Sequence, residues 1–514
     1  MADEEQPFLG SEAQGKDSKA SGGIRERLWG NSASKFRIGL VGFMVLFTLG
    51  LILYLTRAIG ESGGSLLQRP GSCDTLSKGY QCNTEISHDW GQYSPFFQVP
   101  SNISPDVPQG CSITFAQVLS RHGGRNPTAS KSTLYAEIIN KIKQRVQSYQ
   151  NEFEFLRAYS YTLGADQLTA FGEQQMVLSG VDFFHRYAGL ASSSIPFIRA
   201  SGQERVVKSA RRFSQGFHQS REAAGRLKDR QYPYDIIVIS EAPGSNNTLH
   251  HGLCTEFERS RSENPRIPIQ WDFAITFIPA TRARLNKGLV GANLTDEDTM
   301  FLMDLCPFET IANPFGKPSE FCSLFTQDEW LNYDYYQTLG KLVGWGGLGS
   351  SKAVSSLGPT QGVGFANELI ARLTTQPVDD HTSSNSTLDD DFTTFPLGRS
   401  LYADFSHDND LTAAFFALGL YNITRQLQSE RRMIASELDG YSAARTVPFA
   451  GRAFFEKMRC DGMEEEMVRV LVNGRVLPLG SCGGDSLGRC SLSNFIESLS
   501  FARRGGDWDH CFAD

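Results

Sequence analysis

The chain has 514 residues, 40% hydrophobic and 21% charged, and this composition excludes a wholly disordered protein or a collagen. Lys plus Arg is 49 and Asp plus Glu is 57, which leaves a net charge of −8. That sign argues against nucleic acid as the main partner, because a protein that binds a phosphate backbone presents a basic face. The length allows about three domains or one large composite unit.

The N-terminal segment differs in composition from the rest of the chain. Residues 1–36 are rich in Gly, Ser and charge without an apolar period, which predicts a disordered tail. The predicted span, 37–57, contains 19 residues without a charge at 38–56, close to the ~20 that a bilayer core needs. The apolar region of a cleaved signal peptide is shorter, about 7–15 residues, so an uncleaved signal anchor is favoured. A weak cleavage motif at 58–60 leaves a secreted form as the alternative.

The flanking charges predict the orientation of this span. Five basic residues lie in the 20 positions before it and two in the 20 after it, which places the tail in the cytosol. A Gly/Ser stalk at 58–72 and a folded region at 73–514 would then face the lumen or the exterior, as in a single-pass type II membrane protein. All ten cysteines lie beyond the span; their even number suits five disulfides in an oxidising compartment, and no CxxC pair suggests zinc. Glycosylation sequons also lie beyond it, at Asn102, Asn246, Asn293, Asn385 and Asn422.

Short apolar runs alternate with helical patterns in the folded region. Buried strands are predicted at 113–120, 195–200, 234–240 and 401–406, and helices at 135–149, 204–227, 364–374 and 411–420. Residues 375–395 are acidic and polar and predict an exposed loop. Asn473-Gly474, between apolar runs at 468–472 and 475–477, predicts a hairpin. The alternation predicts an α/β fold with its chemistry at the C-terminal ends of the strands.

Two predicted strand ends carry groups suited to phosphate chemistry. The segment RHGGR at 121–125 flanks an imidazole with two arginines on a glycine turn. Guanidinium groups match phosphate oxygens in pairs, and glycine lets the backbone approach a ligand closely. Buried arginines need an anion to offset their desolvation, so the segment predicts an anion site. His407 and Asp408 follow the strand at 401–406 and pair a second imidazole with an acid.

These motifs resemble the histidine acid phosphatases, and within them the fungal phytases. The resemblance is carried by SRHGGRNPT at 120–128, FIRASG at 197–202, LGPTQGVGFANELIARLT at 357–374 and LYADFSHDN at 401–409. It implies a phosphoric monoester hydrolase built from a large α/β domain and an inserted, smaller helical domain. The implied boundaries are roughly 73–130, 193–262 and 335–514 for the α/β core, and 131–192 and 263–334 for the helical part.

The resemblance also implies roles for individual residues. His122 is the expected nucleophile, which becomes phosphohistidine, and Asp408 is the acid that protonates the leaving alcohol. The residues expected to bind the phosphoryl oxygens are Arg121, Arg125, Arg199 and His407. The implied disulfides are Cys73–Cys82, Cys111–Cys460, Cys254–Cys511, Cys306–Cys322 and Cys482–Cys490.

The residue types are consistent with such a reaction. Three arginines supply the charge that a metal would otherwise provide, so no metal or other cofactor is expected. The same arginines lower the pKa of His122 and keep it neutral in acid, whereas Asp408 has to hold a proton at the working pH.

The sequence leaves the substrate and one non-enzymatic alternative open. Inositol polyphosphates, phytate among them, are favoured by the resemblance, with a broad-specificity acid phosphatase as the alternative. A non-catalytic anchored glycoprotein with a phosphatase fold is a further alternative, although all six expected site residues are present. Lys317 and Lys341 are candidates for additional phosphate contacts. No feature of the sequence indicates an oligomeric state.

Three motifs suggest other chemistries, and each has a simpler structural explanation. GDSL at 484–487 with DWDH at 507–510 resembles an esterase pair, but a turn closed by a disulfide between Cys482 and Cys490 is favoured. The GWGGLG segment at 344–349 fits a dinucleotide loop but lacks a preceding strand and a following acidic residue. His250-His251 with Cys254 suggests a metal, but a turn leading into a disulfide is favoured.

Overall fold

The computed structural model describes residue 80 and the ranges 84–225, 232–263, 266–314, 316–349 and 356–512. All of them belong to one unit, Gln68–Asp514. The predicted tail, membrane span and stalk lie outside the described residues, as do Cys73 and Cys82. Within the described ranges, no helix is both long and apolar enough to cross a bilayer.

The strands form one large sheet and one small ribbon. They are β1 Cys111–Arg121, β2 Ser148–Tyr149, β3 Phe197–Ser201, β4 Ile236–Ile239, β5 Leu289–Val290, β6 Leu401–Ser406, β7 Arg452–Cys460, β8 Met467–Val472, β9 Arg475–Val476 and β10 Arg489–Ser491. The large sheet has the order β10-β8-β7-β1-β6-β3-β4, with β9 paired to β8, and the ribbon pairs β2 with β5.

Helices surround the sheet and build a second layer. They are α1 Thr84–Ser87, α2 Ala129–Arg145, α3 Phe155–Ala158, α4 Ala170–Arg186, α5 Ala188–Ala191, α6 Glu204–Ala223, α7 Thr255–Glu263, α8 Pro268–Ala274, α9 Ile278–Gly288, α10 Asp296–Ala312, α11 Gln327–Gly344, α12 Leu357–Thr360, α13 Val363–Thr374, α14 Ser386–Asp389, α15 Asp408–Ala417, α16 Ala443–Thr446, α17 Leu492–Ser498 and α18 Ser500–Arg503. Short 3₁₀ turns occur at Gly91–Tyr93, Asn151–Phe153, Glu320–Leu324, Ala435–Leu438, Gly480–Cys482 and Trp508–Phe512.

The centre of the large sheet aligns the two predicted strand ends. Strand β1 pairs in parallel with β6, and the register ends at Arg121 opposite Ser406. Strand β3 is parallel to β6 and to β4, whereas β7 is antiparallel to β1. Because parallel strands end at the same edge, the loops after β1, β3, β4 and β6 meet there. The predicted α/β architecture is therefore confirmed.

The sheet separates two apolar cores. On β1, Ala116 and Val118 belong to a core with residues of α4 and α6, whereas Phe115 and Leu119 belong to a larger core on the other face. This alternation follows from the two-residue period of a strand. Each fully buried large apolar side chain contributes about 1.5–3 kcal/mol to folding, which holds both helical layers against the sheet.

The helical layer differs from the sequence-based boundary in one place. Residues of α2, α9 and α10 pack together in the larger core, and β2 and β5 join the two chain segments that build this layer. Helix α4 packs instead against α6 and the sheet through Met176, Phe183 and Phe184. We therefore place α4 with the sheet layer, although the predicted helical domain, 131–192, included it.

Most predicted elements are confirmed, and their ends shift. Strand β6 has the predicted bounds, and the hairpin turns at Asn473 and Gly474, whose positive φ of 48° and 84° suit a type I′ turn. Helix α15 begins three residues earlier than predicted, because His407 is its N-terminal flanking residue. The helix predicted at 135–149 is α2, which ends at Arg145 because the next residues enter the ribbon. The loop at 375–395 contains the short helix α14.

The disulfides follow the implied pairing wherever they are described. The bonds are Cys111–Cys460, Cys254–Cys511, Cys306–Cys322 and Cys482–Cys490. The first joins the paired ends of β1 and β7, and the second joins the start of α7 to the C-terminal 3₁₀ turn. No cysteine of the described ranges is free.

Candidate active site

Two histidines meet at the edge of the sheet where β1 and β6 end. The amide of His122 donates to the carbonyl oxygen of Ser406 at 3.1 Å, which continues the parallel ladder past the last pair. The rings of His122 and His407 lie with their centroids 5.5 Å apart, and both line a cavity of about 420 Å³. The two strand ends predicted from the sequence therefore lie next to each other in the fold.

The glycine turn after His122 is required by the close approach of α4. A Cβ on Gly123 would lie 2.3 Å from the carbonyl oxygen of Gly172, and a Cβ on Gly172 would lie 1.9 Å from that of Gly124. Side chains of the two sheet-covering helices then hold the turn: Ser209 accepts from the Gly123 amide at 3.1 Å, and Gln175 accepts from the Gly124 amide at 2.9 Å. The turn that carries His122 is therefore rigidly held.

The hydrogen bonding of His122 selects its reactive nitrogen. Its Nδ1 lies 2.8 Å from the carbonyl oxygen of Gly123, and because a carbonyl only accepts, Nδ1 carries the proton. The Nε2 lone pair is then available for attack. Burial, with the charges of Arg205, Arg121 and Arg125, holds the pKa of His122 well below its usual value, so the ring stays neutral in acid.

Three guanidiniums surround this imidazole with unused donors. Arg121 donates to the carbonyl oxygens of Gln92 and Val447, Arg125 to that of Asn126, and Arg205 to a carboxylate oxygen of Asp166. The Nε atoms of all three, and Nη2 of Arg121, are buried without a hydrogen-bond partner among the described residues. Buried guanidinium N–H groups without partners are costly, so their arrangement beside His122 is suited to an anion with several oxygens.

Arg199 is a correction to the sequence-based site. It is 2% exposed and its Nε donates to Asp404 at 2.9 Å, while Nη1 donates to Glu368 at 3.0 Å. Arg199 lies on β3, and its side chain extends toward α13, which carries Glu368. Arg199 is not among the residues that line the cavity. The prediction that Arg199 contacts the phosphoryl oxygens is therefore wrong.

Arg205 occupies the place that the sequence assigned to Arg199. It lies in the first turn of α6, which follows β3 at the same sheet edge as His122. Burial and the charge of Arg125 lower its pKa to about 10, a value that still leaves it charged in acid. One feature of the sequence could have identified Arg205 as a site residue. It lies in the first turn of a helix that follows a parallel strand, where ligands of α/β sheets bind.

Asp408 is held as a carboxylate by two cations. Its Oδ1 lies 3.2 Å from Nη2 of Arg121, an ion pair without hydrogen-bond geometry, and its Oδ2 accepts from Nζ of Lys341. Burial raises the pKa of Asp408, but Arg121 and Lys341 outweigh it and hold that pKa well below its ordinary value. The expectation of a protonated Asp408 is therefore not met in the ligand-free protein.

Lys341, one of the two candidate phosphate-contacting lysines, lines the cavity. It also donates to the side-chain oxygen of Asn409, and burial lowers its pKa to about 8 although Asp408 raises it. Lys317 is not among the residues that line this cavity.

His407 is oriented by an acid that follows β4, two strands away from β6 in the sheet. Its Nε2 lies 3.0 Å from Glu241, which follows β4. Burial raises the pKa of Glu241, but its contacts with His407, His250 and Ser201 lower it to about 2. Two sets of side chains here have the composition and spacing of metal ligands: Glu241, His250 and His407, and His250, His251 and Asp410.

The three motifs that suggested other chemistries lie in surroundings that give each of them a structural role or rule out the suggested chemistry. Ser486 is exposed in the turn closed by Cys482–Cys490, where Asp485 accepts from Arg489. The GWGGLG segment begins at the last residue of α11 and continues as a turn rather than joining a strand to a helix. Cys254 is in a disulfide and is not available to a metal, but the adjacent His250 and His251 line the cavity.

A comparison with protein-family models assigns the chain. The model described as "Histidine phosphatase superfamily (branch 2)" matches residues 112–473, which include His122, Asp408 and the three arginines around His122. The chain belongs to the histidine phosphatase superfamily.

Curated relatives within this superfamily are similar over nearly the whole chain. "Phytase A" of Aspergillus awamori is 51% identical over 474 residues, 91% of this chain and 99% of the relative. "Phytase A" of Aspergillus fumigatus is 50% identical over 446 residues, 86% of this chain and 94% of the relative.

Solved structures share the histidine phosphatase fold at lower identity. The phytase from D. castellii is 20% identical with a TM-score of 0.65, covering 84% of this chain and 88% of that one. The Bifidobacterium longum multiple inositol polyphosphate phosphatase in complex with inositol hexasulfate is 13% identical with a TM-score of 0.55, covering 81% of this chain and 98% of that one.

Proposed function

We propose that this histidine phosphatase hydrolyses phosphomonoesters of inositol polyphosphates, phytate among them, through a phosphohistidine on His122. The observation that carries the proposal is the set of unpartnered guanidinium N–H groups of Arg121, Arg125 and Arg205 beside a neutral imidazole. Relatives named phytase at about half identity over most of the chain support the substrate class.

The reaction proceeds in two displacements. Phosphoryl oxygens accept hydrogen bonds from the three arginines, which spread the developing charge without a metal. His122 Nε2 attacks phosphorus in line, the bond to the ester oxygen breaks, and Asp408 delivers a proton to that oxygen. A water then attacks phosphorus, loses its proton to Asp408 and displaces His122, which releases inorganic phosphate.

Asp408 becomes protonated when the substrate binds. In the ligand-free site, Arg121 and Lys341 keep this carboxylate charged. A bound phosphate competes for both cations and adds negative charge beside the carboxylate. Both effects raise the pKa of Asp408, so a proton is taken up as the substrate binds.

The cavity favours a polyanion over a simple ester. Beyond the residues around His122, its lining includes Lys341 and Arg261, with the guanidinium of Arg261 lying 4.5 Å from the Trp345 ring centroid. A second and third phosphate of one substrate can therefore meet further cations. A monoester with a neutral alcohol uses only the three arginines beside His122.

The proposed chemistry is tested by phosphoenzyme trapping and by a substrate comparison. We expect kcat/KM for phytate to exceed that for p-nitrophenyl phosphate at acidic pH, and an acid-labile phosphoenzyme to form with both. His122→Asn should abolish turnover and phosphoenzyme together, whereas His185→Asn, at the surface end of α4, should change neither. Phosphoenzyme persisting in His122→Asn would place the nucleophile elsewhere.

We also propose that the phosphatase region is a lumenal or extracellular domain on a type II anchor. The charge asymmetry around residues 37–57 and the four described disulfides, which suit an oxidising compartment, support this topology. Sequon residues Asn102, Asn246, Asn293 and Asn422 are exposed, as glycosylation requires. Asn385 is half-buried and caps α14 through its side chain, which makes it the least accessible of the sequons.

A further inference from the structure

A second cluster of ligating side chains lies on the wall of the active-site cavity. Glu241 follows β4, His250 lies in the loop after it, and His407 follows β6. One ligand atom from each of the three lies within 4.8 Å of the others. The two carboxylate oxygens of Glu241 are divided between the imidazoles: Oε1 lies 3.0 Å from Nε2 of His407, and Oε2 lies 3.9 Å from Nδ1 of His250.

These separations suit a tetrahedral transition-metal ion. With metal–nitrogen and metal–oxygen distances of about 2.0–2.2 Å, two ligand atoms of a tetrahedral ion are about 3.3–3.6 Å apart. The observed 3.0 and 3.9 Å, each measured from a different oxygen of Glu241, lie on either side of that spacing, so side-chain rotations can bring one oxygen and the two nitrogens to one ion. Two imidazoles and one carboxylate are also a common protein ligand set for Zn²⁺.

One of these ligand atoms, Nδ1 of His250, has no hydrogen bond within the described ranges that a metal ion would have to replace. Nδ1 of His250 is buried and has no hydrogen-bond partner among the described residues. A buried polar atom without a partner is unfavourable, and a metal ion would satisfy it. His250 and His407 also line the cavity, so an ion bound here has an open fourth position toward solvent or substrate.

We propose that Glu241, His250 and His407 form a reversible site for Zn²⁺ or a similar divalent transition-metal ion, and that its occupation inhibits the enzyme. The ion bonds to Nε2 of His407 in place of the hydrogen bond to Glu241, which fixes the ring as a neutral, metal-bound imidazole and places the ion in the cavity beside the substrate. The nearby arginines oppose a cation, which favours a site that fills and empties with metal concentration over one that is permanently loaded.

The neighbouring set of His250, His251 and Asp410 fits an ion less well. Nδ1 of His251 lies 2.6 Å from Glu258, and Oδ1 of Asp410 accepts from the backbone amide of His251 at 2.8 Å. His251 can therefore offer only its other ring nitrogen, whereas Oδ2 of Asp410 is buried without a hydrogen-bond partner in the described part of the chain. We assign the metal to Glu241, His250 and His407 because Nδ1 of His251 is already bonded to Glu258, and the His251→Gln variant below tests this choice.

The binding is tested with Co²⁺ and Zn²⁺ on the full-length protein. Co²⁺ should give the strong visible absorption of a four-coordinate site with one ion per chain, and Zn²⁺ should displace it. His250→Gln should weaken Zn²⁺ binding by at least about 100-fold, since even the loss of an outer partner of a ligand costs about 10–100-fold. His218→Gln, which changes a histidine on α6 that stacks on Tyr232, should leave binding unchanged.

The inhibition, unlike the binding, rests on the proposed function and is measured separately. Zn²⁺ should lower the turnover of p-nitrophenyl phosphate by the wild-type enzyme, and His250→Gln should resist it by about the same factor by which its affinity falls. Inhibition is measured against each variant's own metal-free turnover, and measurable metal-free turnover of His250→Gln shows that the variant folds. Unchanged Co²⁺ absorption in His250→Gln, or its loss in His251→Gln but not in Glu241→Gln, would overturn the site, whatever the phosphatase activity.

Discussion

At the scale of single residues, the site depends on which groups burial leaves charged. His122 is an imidazole among three guanidiniums, and both burial and repulsion keep its pKa low. An unfolded chain would take up a proton at this histidine below pH about 6.5, so the folded state loses some stability in acid. A bound phosphate opposes this loss, because it satisfies the same arginines that hold His122 neutral.

The correction at Arg199 is testable as a matched pair of substitutions. We expect Arg205→Met to lower kcat/KM by about 10²-fold or more, because it removes a donor aimed at the developing charge. Its stability should change by less than about 1 kcal/mol, since its partner Asp166 is half exposed. Arg199→Met should instead destabilise the protein by about 3–5 kcal/mol, because it removes the buried cation that pairs with Glu368 and with one oxygen of Asp404.

Urea unfolding and steady-state kinetics on the same preparations separate these effects. If Arg199→Met were stable but inactive and Arg205→Met fully active, the sequence-based assignment would be right and the structural one wrong.

The role of Asp408 is tested through the leaving group. An alkyl or inositol oxygen needs a proton to depart, whereas nitrophenolate leaves readily as an anion. Asp408→Asn should therefore slow phosphoenzyme formation about 10²–10⁴-fold with alkyl phosphates and far less with p-nitrophenyl phosphate. Rapid-quench measurements on both esters decide it; equal losses would show that Asp408 only holds Lys341 and Arg121 in place.

At the scale of elements, one helix contact positions the nucleophile. Helix α4 approaches the turn after β1 so closely that only glycine fits on both sides. Helix α6 supplies Arg205 to the reaction, and side chains of both sheet-covering helices, Gln175 on α4 and Ser209 on α6, fix the backbone of Gly123 and Gly124. The catalytic geometry is thus set by helix packing as much as by the strand that carries His122.

Gly172→Ala should reduce both stability and activity. Its methyl group would lie 1.9 Å from a carbonyl oxygen, so α4 or the turn has to move, at about 1–3 kcal/mol. A displacement of about 1 Å at His122 lowers kcat by about 10²-fold. Gly189→Ala is the control, because its added methyl meets no atom within 4 Å and a helical alanine is slightly stabilising. Thermal unfolding and kcat of the two variants check the expectation, which fails if Gly172→Ala matches Gly189→Ala.

At the scale of the whole molecule, the proposed topology places the catalytic region on one side of a membrane. Protease added to sealed secretory-pathway membranes should trim the tail, 1–36, and spare the phosphatase region. A glycosidase that removes N-linked glycans should lower the apparent mass only after the membranes are opened. Loss of the whole phosphatase region in sealed membranes, or a mass shift before opening, would reverse the orientation.

Local patterns in the sequence determined the strands, the hairpin and the motifs that end β1 and β6. Those predictions succeed because the structure of an apolar run, an Asn-Gly turn or a strand end is determined by interactions among residues close together in the sequence. The disulfide pairing came from the family resemblance, since an even cysteine count alone does not choose partners.

Only the tertiary structure decided which charged residues reach the cavity. Arg199 and Arg205 stand six positions apart, but one lies within a strand and the other in the first turn of the following helix. The strand residue points through the sheet toward α13, whereas the helix start faces the edge where β1 and β6 end. The same holds for Asp408 and Lys341, whose ion pair joins helices 67 positions apart and sets a charge that neither sequence neighbourhood reveals. Such contacts depend on how distant elements pack, and that is why sequence patterns do not contain them.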